Sequence, residues 1–143
     1  TQSIVTLRTT SDTHRQLVLI RWGLVPAWAK ELSIGSQRIN ARSETITEKP
    51  SFRSCFKSKR CLIFADGFYE WARRPGEKHK IPMYIRLKSG NPFAFAGLWS
   101  QWQGGDGTKL TTAAIITTRA NHLIKTIHHR MPVILPPTSF GMW

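Results

Sequence analysis

Short apolar runs broken by turn residues dominate the chain. A polar run over residues 1–3 leads into a first short strand. Residues 17–22 are apolar and rich in branched side chains, then meet Gly23 and Pro26. Residues 61–64 form a second run that continues into Phe68, Tyr69 and Trp71. Residues 82–87 alternate, with Met83, Ile85 and Leu87 on one face and Tyr84 and Arg86 on the other. Residues 93–99, 110–118 and 131–135 complete the predicted strands. Ser89-Gly90-Asn91-Pro92 and Gly104-Gly105-Asp106-Gly107 are turns between them. Two segments carry a helical period instead. In residues 48–57, Phe52 and Phe56 stand four apart. In residues 120–128, Leu123, Ile124 and Ile127 form an apolar stripe. The pattern predicts an α+β fold, mainly antiparallel, with a barrel-like sheet core and a few short helices.

Length allows one domain with one core: the chain has 143 residues and no internal repeat or linker. No apolar run approaches the roughly 18 residues of a membrane span. The two cysteines, Cys55 and Cys61, are too few for a disulfide scaffold, and a reducing compartment is the simpler setting. Their spacing, with no close Cys or His pair beside it, offers no zinc site. Charge narrows the picture further. The formal net charge is +13 and the isoelectric point about 10.8. Such a chain attracts polyanions, nucleic acid first among them. Six tryptophans add aromatic surface that suits unpaired bases, although most tryptophans in any domain serve the core.

The eight acidic side chains are few enough to weigh singly. Asp12, Glu31, Glu77 and Asp106 sit among polar or turn residues. Glu48 suits an early helical turn. Glu44, Asp66 and Glu70 remain. Glu70 lies between Tyr69 and Trp71, and a carboxylate desolvated by aromatic walls can act as acid or base near neutrality. The plainer alternative is a surface ion pair with Arg73 or Arg74. His128 and His129 precede Arg130-Met131-Pro132, either as a proton shuttle or as a cap and a packed core residue. Asn40-Ala41-Arg42-Ser43-Glu44 is a compact polar cluster. Arg42 could fork onto a phosphate, or the cluster could cap a helix. Trp22, Pro26 and Trp28 form a stiffened loop that could stack on bases or cover a sheet edge.

Four blocks of the chain resemble the SOS-response-associated peptidase (SRAP) family. They are Arg21-Trp22-Gly23-Leu24-Val25-Pro26-Ala27-Trp28-Ala29-Lys30, then Ile39-Asn40-Ala41-Arg42-Ser43-Glu44-Thr45, then Cys61-Leu62-Ile63-Phe64-Ala65-Asp66-Gly67-Phe68-Tyr69-Glu70-Trp71, and last Ile127-His128-His129-Arg130-Met131-Pro132-Val133-Ile134-Leu135. No single block is specific, but all four in order span most of the chain.

The resemblance implies a protein that binds single-stranded DNA at abasic sites. In the family, an N-terminal cysteine condenses with the sugar aldehyde and closes a thiazolidine, giving a DNA–protein crosslink. By the motif match Glu70 moves protons, Asn40 positions the cysteine, and His128 assists proton transfer and crosslink reversal. Arg42 and Arg130 match phosphate-binding arginines, Trp28 an aromatic at the DNA cleft, and Thr117 a polar site residue; Trp22, from the stiffened loop, is the other candidate DNA contact. The partner is single-stranded DNA, with no cofactor, no metal, no membrane and a monomeric protein. The implied activity is that of a crosslinking lyase and self-processing peptidase. The implied setting is bacterial cytoplasm near the nucleoid, or a eukaryotic nucleus. The family's Met-Cys-Gly-Arg-Phe opening is absent, and the chain ends on apolar Phe140-Gly141-Met142-Trp143. The expectation is a domain truncated at both ends, whose crosslinking cysteine belongs to its full-length parent. Two other readings stay open: a non-covalent single-strand binding module, and a hydrolase using Thr1 as an N-terminal nucleophile.

Overall fold

The computed structural model describes residues 2–10, 14–73 and 75–143. Thr1, Asp12 and Arg74, weighed above, lie outside them. In chain order the elements are β1 (Ser3–Thr9), β2 (Arg15–Trp22), a 3-10 stretch (Leu32–Gln37), β3 (Asn40–Arg42), α1 (Arg53–Ser58), β4 (Arg60–Ala65), β5 (Phe68–Ala72) and β6 (Ile81–Ile85). Then follow β7 (Phe93–Gln103), β8 (Lys109–Arg119), a 3-10 turn (Ile124–Thr126), β9 (Arg130–Pro132), β10 (Ile134–Leu135) and a last 3-10 turn (Pro137–Ser139).

Five strands close on themselves in the order β7-β4-β1-β2-β8, with β8 returning to β7. The closure is mixed. β2 meets β8 in parallel through Arg21↔Thr112 and Trp22↔Ala113, while the other ring pairings are antiparallel. β3 extends β8 in parallel, β9 pairs with it antiparallel, and β10 borders β7. β5 and β6 form a separate hairpin. The barrel-like α+β architecture expected from the pattern is what the chain adopts.

Alternation explains the long buried strands. Ile4, Ile20, Cys61, Ile63, Phe95, Trp99, Ala113 and Ile115 belong to one apolar cluster. All five ring strands contribute to it, so it is the barrel interior. The intervening residues Ala96, Leu98, Ala114 and Ile116 face a second cluster with Leu24, Ala41, Ile46 and Cys55, over which Phe52 and Phe56 pack. β7 is thus buried on both faces, which is why it reads as a continuous apolar run. No helix among the described residues is long and apolar enough to cross a membrane.

Both predicted helices shrink. In residues 48–57 only the C-terminal part is α-helical, because Pro50 cannot sit inside a helix and disfavours helical backbone at Lys49. Turn bonds occupy the region before it, such as Phe52 N–H to the Lys49 carbonyl (2.9 Å). In residues 120–128 only a 3-10 turn forms. Asn121 Oδ1 accepts the Ile124 N–H (3.0 Å), and branched Ile124, Thr126 and Ile127 resist a longer helix. Leu123, expected on the apolar stripe, is 64% exposed. The run from residue 61 to 71 also divides. β4 ends at Ala65, and the chain turns at Asp66-Gly67 into the separate β5–β6 hairpin. Gly67 packs under the Tyr84 ring, where a Cβ would collide.

Gly97 sits at an interior position of β7 between Phe95 and Trp99. A Cβ there would lie 2.5 Å from Ile63 Cδ1 and 3.0 Å from Cys61 Sγ. Gly97→Val should therefore overpack the barrel and destabilise it by about 1–3 kcal/mol. Urea unfolding checks this; an unchanged midpoint would mean that β4 yields freely.

Candidate active site

A cleft of about 320 Å³ opens at one end of the barrel, and its polar residues come from β2, β3, β5, β8, β9 and the turn before β9. On β3, Ala41 is fully buried, so Asn40 and Arg42 on either side of it point the opposite way, into the cleft. Thr117 of β8 is the register partner of Arg42 on one edge and of Pro132 on the other. Trp22 ends β2, and its indole N–H donates to the Ile39 carbonyl (2.8 Å), which fixes the ring at the cleft wall.

Glu70 reaches the cleft through the alternation of β5. Tyr69 and Trp71 are exposed on one face of the hairpin, so Glu70 turns to the other face with Phe68. Its Oε1 lies 3.8 Å from His128 Nδ1, and the two side chains are 20% and 37% exposed. The carboxylate thus faces a histidine rather than the surface. His128 Nδ1 also lies 3.2 Å from the Arg130 N–H and 3.1 Å from the Arg130 carbonyl. A ring protonated only on Nε2 accepts from that N–H. A ring carrying a proton on Nδ1 donates to the carbonyl and faces Glu70. The site can therefore hold a proton at Nδ1 or release it with little movement. The His129 ring lies beside His128, tilted by 42° at 4.4 Å between centroids.

Arg130 is heavily engaged. Its Nη1 and Nη2 fork onto Glu44 at 3.2 and 3.0 Å. Its Nε donates to Thr117 Oγ1 (3.3 Å) and its Nη2 to the Thr117 carbonyl (2.8 Å). The Arg130 hydrogen bonds, with help from a local backbone bond, hold the Glu44 carboxyl down at about 2. The Arg42 side chain, by contrast, makes no hydrogen bond or ion pair among the described residues, and is exposed.

Asn40, Glu70 and His128 therefore share one cleft with Trp22, Arg42, Thr117 and Arg130. Trp28 does not join them. Beyond Gly23, at φ 113°, the chain dives inward through fully buried Leu24 and Val25, and Val25 N–H donates to Thr112 Oγ1 (2.8 Å). Trp28 emerges elsewhere, 59% exposed, beside a small pocket with Pro26, Ser54 and Lys59. Phe68, Tyr69, Phe95, Ile115, Met131 and Pro132 also line the cleft. Tyr69 lies on the exposed face of β5 and borders the cleft from its rim. Phe95 carries no sequence signal that separates it from an ordinary core residue. Cys55 and Cys61 are both buried and free, and burial pushes both thiols up. Neither lines the cleft.

The fold and this cleft define a small mixed β-barrel whose open end sets a carboxylate and a histidine among arginines. The whole chain, residues 1–143, matches the family described as SOS response associated peptidase (SRAP), and it belongs to that family. It is 52% identical over 142 residues to the abasic site processing protein YoqW of Bacillus subtilis (strain 168), covering 99% of this chain and 62% of that protein. It is 35% identical over 145 residues to the abasic site processing protein HMCES of Gallus gallus, covering 87% of this chain and 43% of that one. A solved structure of a Bacteroides thetaiotaomicron protein superposes with a TM-score of 0.88 at 35% identity, over 99% of this chain and 62% of the other. The chain thus spans 62% of the length of YoqW.

Glu44 offers a test of the cleft's charge balance. Its carboxyl titrates near 2 when folded, against an ordinary 4.5, so folding favours the ionised form. The stability it confers is fully present above its ordinary value and drains away as pH falls toward the folded one. Urea midpoints followed from neutrality into acid should fall more steeply for the wild type than for Glu44→Gln. Parallel slopes would remove the Arg130 fork as a source of stability.

Proposed function

We propose that the cleft binds single-stranded DNA at abasic sites, and that in the full-length parent an N-terminal cysteine crosslinks to the lesion there. The observation that carries this reading is the Glu70–His128 pair, 3.8 Å apart in a cleft shared with Asn40 and Arg42. The names of the relatives point to the same substrate: YoqW and HMCES are abasic site processing proteins.

The chemistry asks for two proton movements at one carbon. The cysteine amine attacks the C1′ aldehyde, and the carbinolamine loses water to form an imine. Glu70 takes the proton from the attacking nitrogen and returns one to the departing hydroxyl. The thiol then adds across the C=N bond, and its proton ends on the ring nitrogen of the thiazolidine. His128, able to hold or release a proton at Nδ1, assists this transfer and its reversal. Asn40 offers both a donor and an acceptor to orient the cysteine. Holding amine and thiol at one aldehyde supplies most of the advantage, because ring closure becomes intramolecular. The internal cysteines bring a thiol without an adjacent amine. Self-processing peptidase activity belongs to the same N-terminal group.

Arg42 meets the phosphates first, because no described side chain competes for it. Arg130 engages them by exchanging part of its bond to Glu44. Trp22 supplies a fixed ring at the cleft, and exposed Trp28 a stacking surface for the strand outside it.

In the full-length protein, Glu70→Gln should slow adduct formation by about 10²–10⁴-fold while sparing non-covalent binding. A denaturing gel after incubation with abasic single-stranded oligonucleotide reads the adduct. Wild-type rates in Glu70→Gln would remove the proton role. The salt dependence of binding is a separate check. Affinity for a single strand should fall steeply with salt, and Arg42→Ala should make that slope shallower by roughly one. Equal affinity for intact duplex and single strand, unaltered by Trp28→Ala, would falsify the stacking role.

A further inference from the structure

The barrel end away from the cleft carries a second cationic cluster that the chemistry above does not use. Along β7, Phe95 lines the cleft, while Trp99 lies four residues further on, roughly 13 Å down the strand. On β1, Ile4 and Thr6 point into the barrel, and Arg8 takes the next inward position. Its guanidinium carbon sits 4.6 Å from the centroid of the Trp99 ring, and Lys59 Nζ lies 5.3 Å from the same centroid. Two cations therefore share one indole. Arg8 Nε and Nη1 are buried and have no hydrogen-bond acceptor among the described residues.

This arrangement lacks a component. A buried guanidinium nitrogen without an acceptor forfeits its hydration, and a π-face does not replace a hydrogen bond. Beside Arg8 and Lys59 lies a cavity of about 470 Å³, whose other lining side chains include Thr9, Ser58, Trp99 and Gln101 and no described carboxylate. The two orphaned Arg8 nitrogens offer three N–H groups and the Lys59 ammonium three more, against about four lone-pair sites on a carboxylate. An anion with more oxygens, carrying charge on several of them, satisfies the set better. None of the residues lining this cavity lines the cleft.

We propose that this end of the barrel is a second binding site, for a phosphate-class oxyanion held by Arg8 and Lys59 beside Trp99. The anion is a phosphodiester of a nucleic-acid backbone or a free phosphate, and the two sources separate experimentally. Thermal unfolding is followed at constant ionic strength while chloride is exchanged for inorganic phosphate. The wild-type melting temperature should rise. Arg8→Met, which removes a half-buried cation with two buried nitrogens left without a described acceptor and keeps the bulk over Trp99, should melt no lower than wild type in chloride and gain clearly less from phosphate. Arg42→Met, in the cleft, should keep the phosphate response. If Arg8→Met does not fold, Lys59→Met carries the same comparison, with the phosphate response reduced. Binding of a single-stranded oligonucleotide then identifies the source. Several-fold weaker binding by Arg8→Met, with a salt slope shallower by about one, assigns the anion to the nucleic-acid backbone. Unchanged oligonucleotide binding, with the phosphate response reduced, assigns it to free phosphate. No wild-type response at tens of millimolar phosphate, or the same response in Arg8→Met, would overturn the site and leave water as Arg8's partner. An equal rise with acetate would overturn the phosphate class in favour of a carboxylate.

Discussion

Each edge of β8 serves two partners in succession. On one edge β2 pairs at Thr112 and Ala113, and β3 takes over from Ile115 to Thr117. On the other, β7 pairs through Ile115, and β9 takes over from Thr117. Both changes fall within the same few residues. A strand that loses one partner must find another at once, because unpaired buried backbone is costly. Bridging bonds fill the gaps: Gly23 N–H to the Ala113 carbonyl, Ile115 N–H to the Ile39 carbonyl, Val133 N–H to the Ile116 carbonyl and Ser43 N–H to the Thr117 carbonyl. The backbone is satisfied, yet the strands diverge there, and side chains at their ends surround an opening. Trp22, Asn40, Arg42, Thr117 and Arg130 all sit at those ends. The cleft is a consequence of how the barrel closes.

The electrostatics of that opening are more balanced than the net charge of +13 suggests. Arg130 has its fork filled by Glu44 and its Nε by Thr117. The pair ties β9, β8 and the turn after β3 into one unit. Arg42 stands opposite, on the same strand as Asn40, with no such partner among the described residues. One arginine thus serves the architecture while the other is open to a ligand. A carboxylate at Glu70 is tolerable in the cleft because Arg42 and Arg130 also line it.

Periodicity made most of the strands legible, because a closed barrel enforces strict alternation of inward and outward residues. Glu70 stood out as a carboxylate walled by Tyr69 and Trp71, but alternation along β5 turns both rings to the exposed face and leaves Phe68 on the face of Glu70. Periodicity failed where local chemistry overrode it. Phe52 and Phe56 do pack on one face as their spacing implies, but Pro50 removed the first turns of that helix. A single apolar run hid the change of sheet at Gly67, which depends on the distant ring of Tyr84. Trp28 lies close to Trp22 in sequence, and only the inward course of Leu24 and Val25 separates them in space. Arg8 reads in sequence as one more surface cation. Its partial burial rests on Trp99, which lies far along the chain and reaches Arg8 only through closure of the barrel.

Arg130 joins two functions that the sequence presents separately. Its backbone N–H and carbonyl are the neighbours of His128 Nδ1, and its side chain holds Glu44 and Thr117. A histidine in a turn is normally free to rotate. Here two backbone groups of one residue bracket its Nδ1, and Glu70 approaches from a different sheet. The bracket is only as stable as β9, which is three residues long and pairs with β8 through Arg119, Thr118 and Thr117. So short a strand cannot hold its place by ladder bonds alone. The fork onto Glu44 adds an anchor from the opposite edge of β8. Through that anchor the geometry around His128 depends on a carboxylate that does not line the cleft.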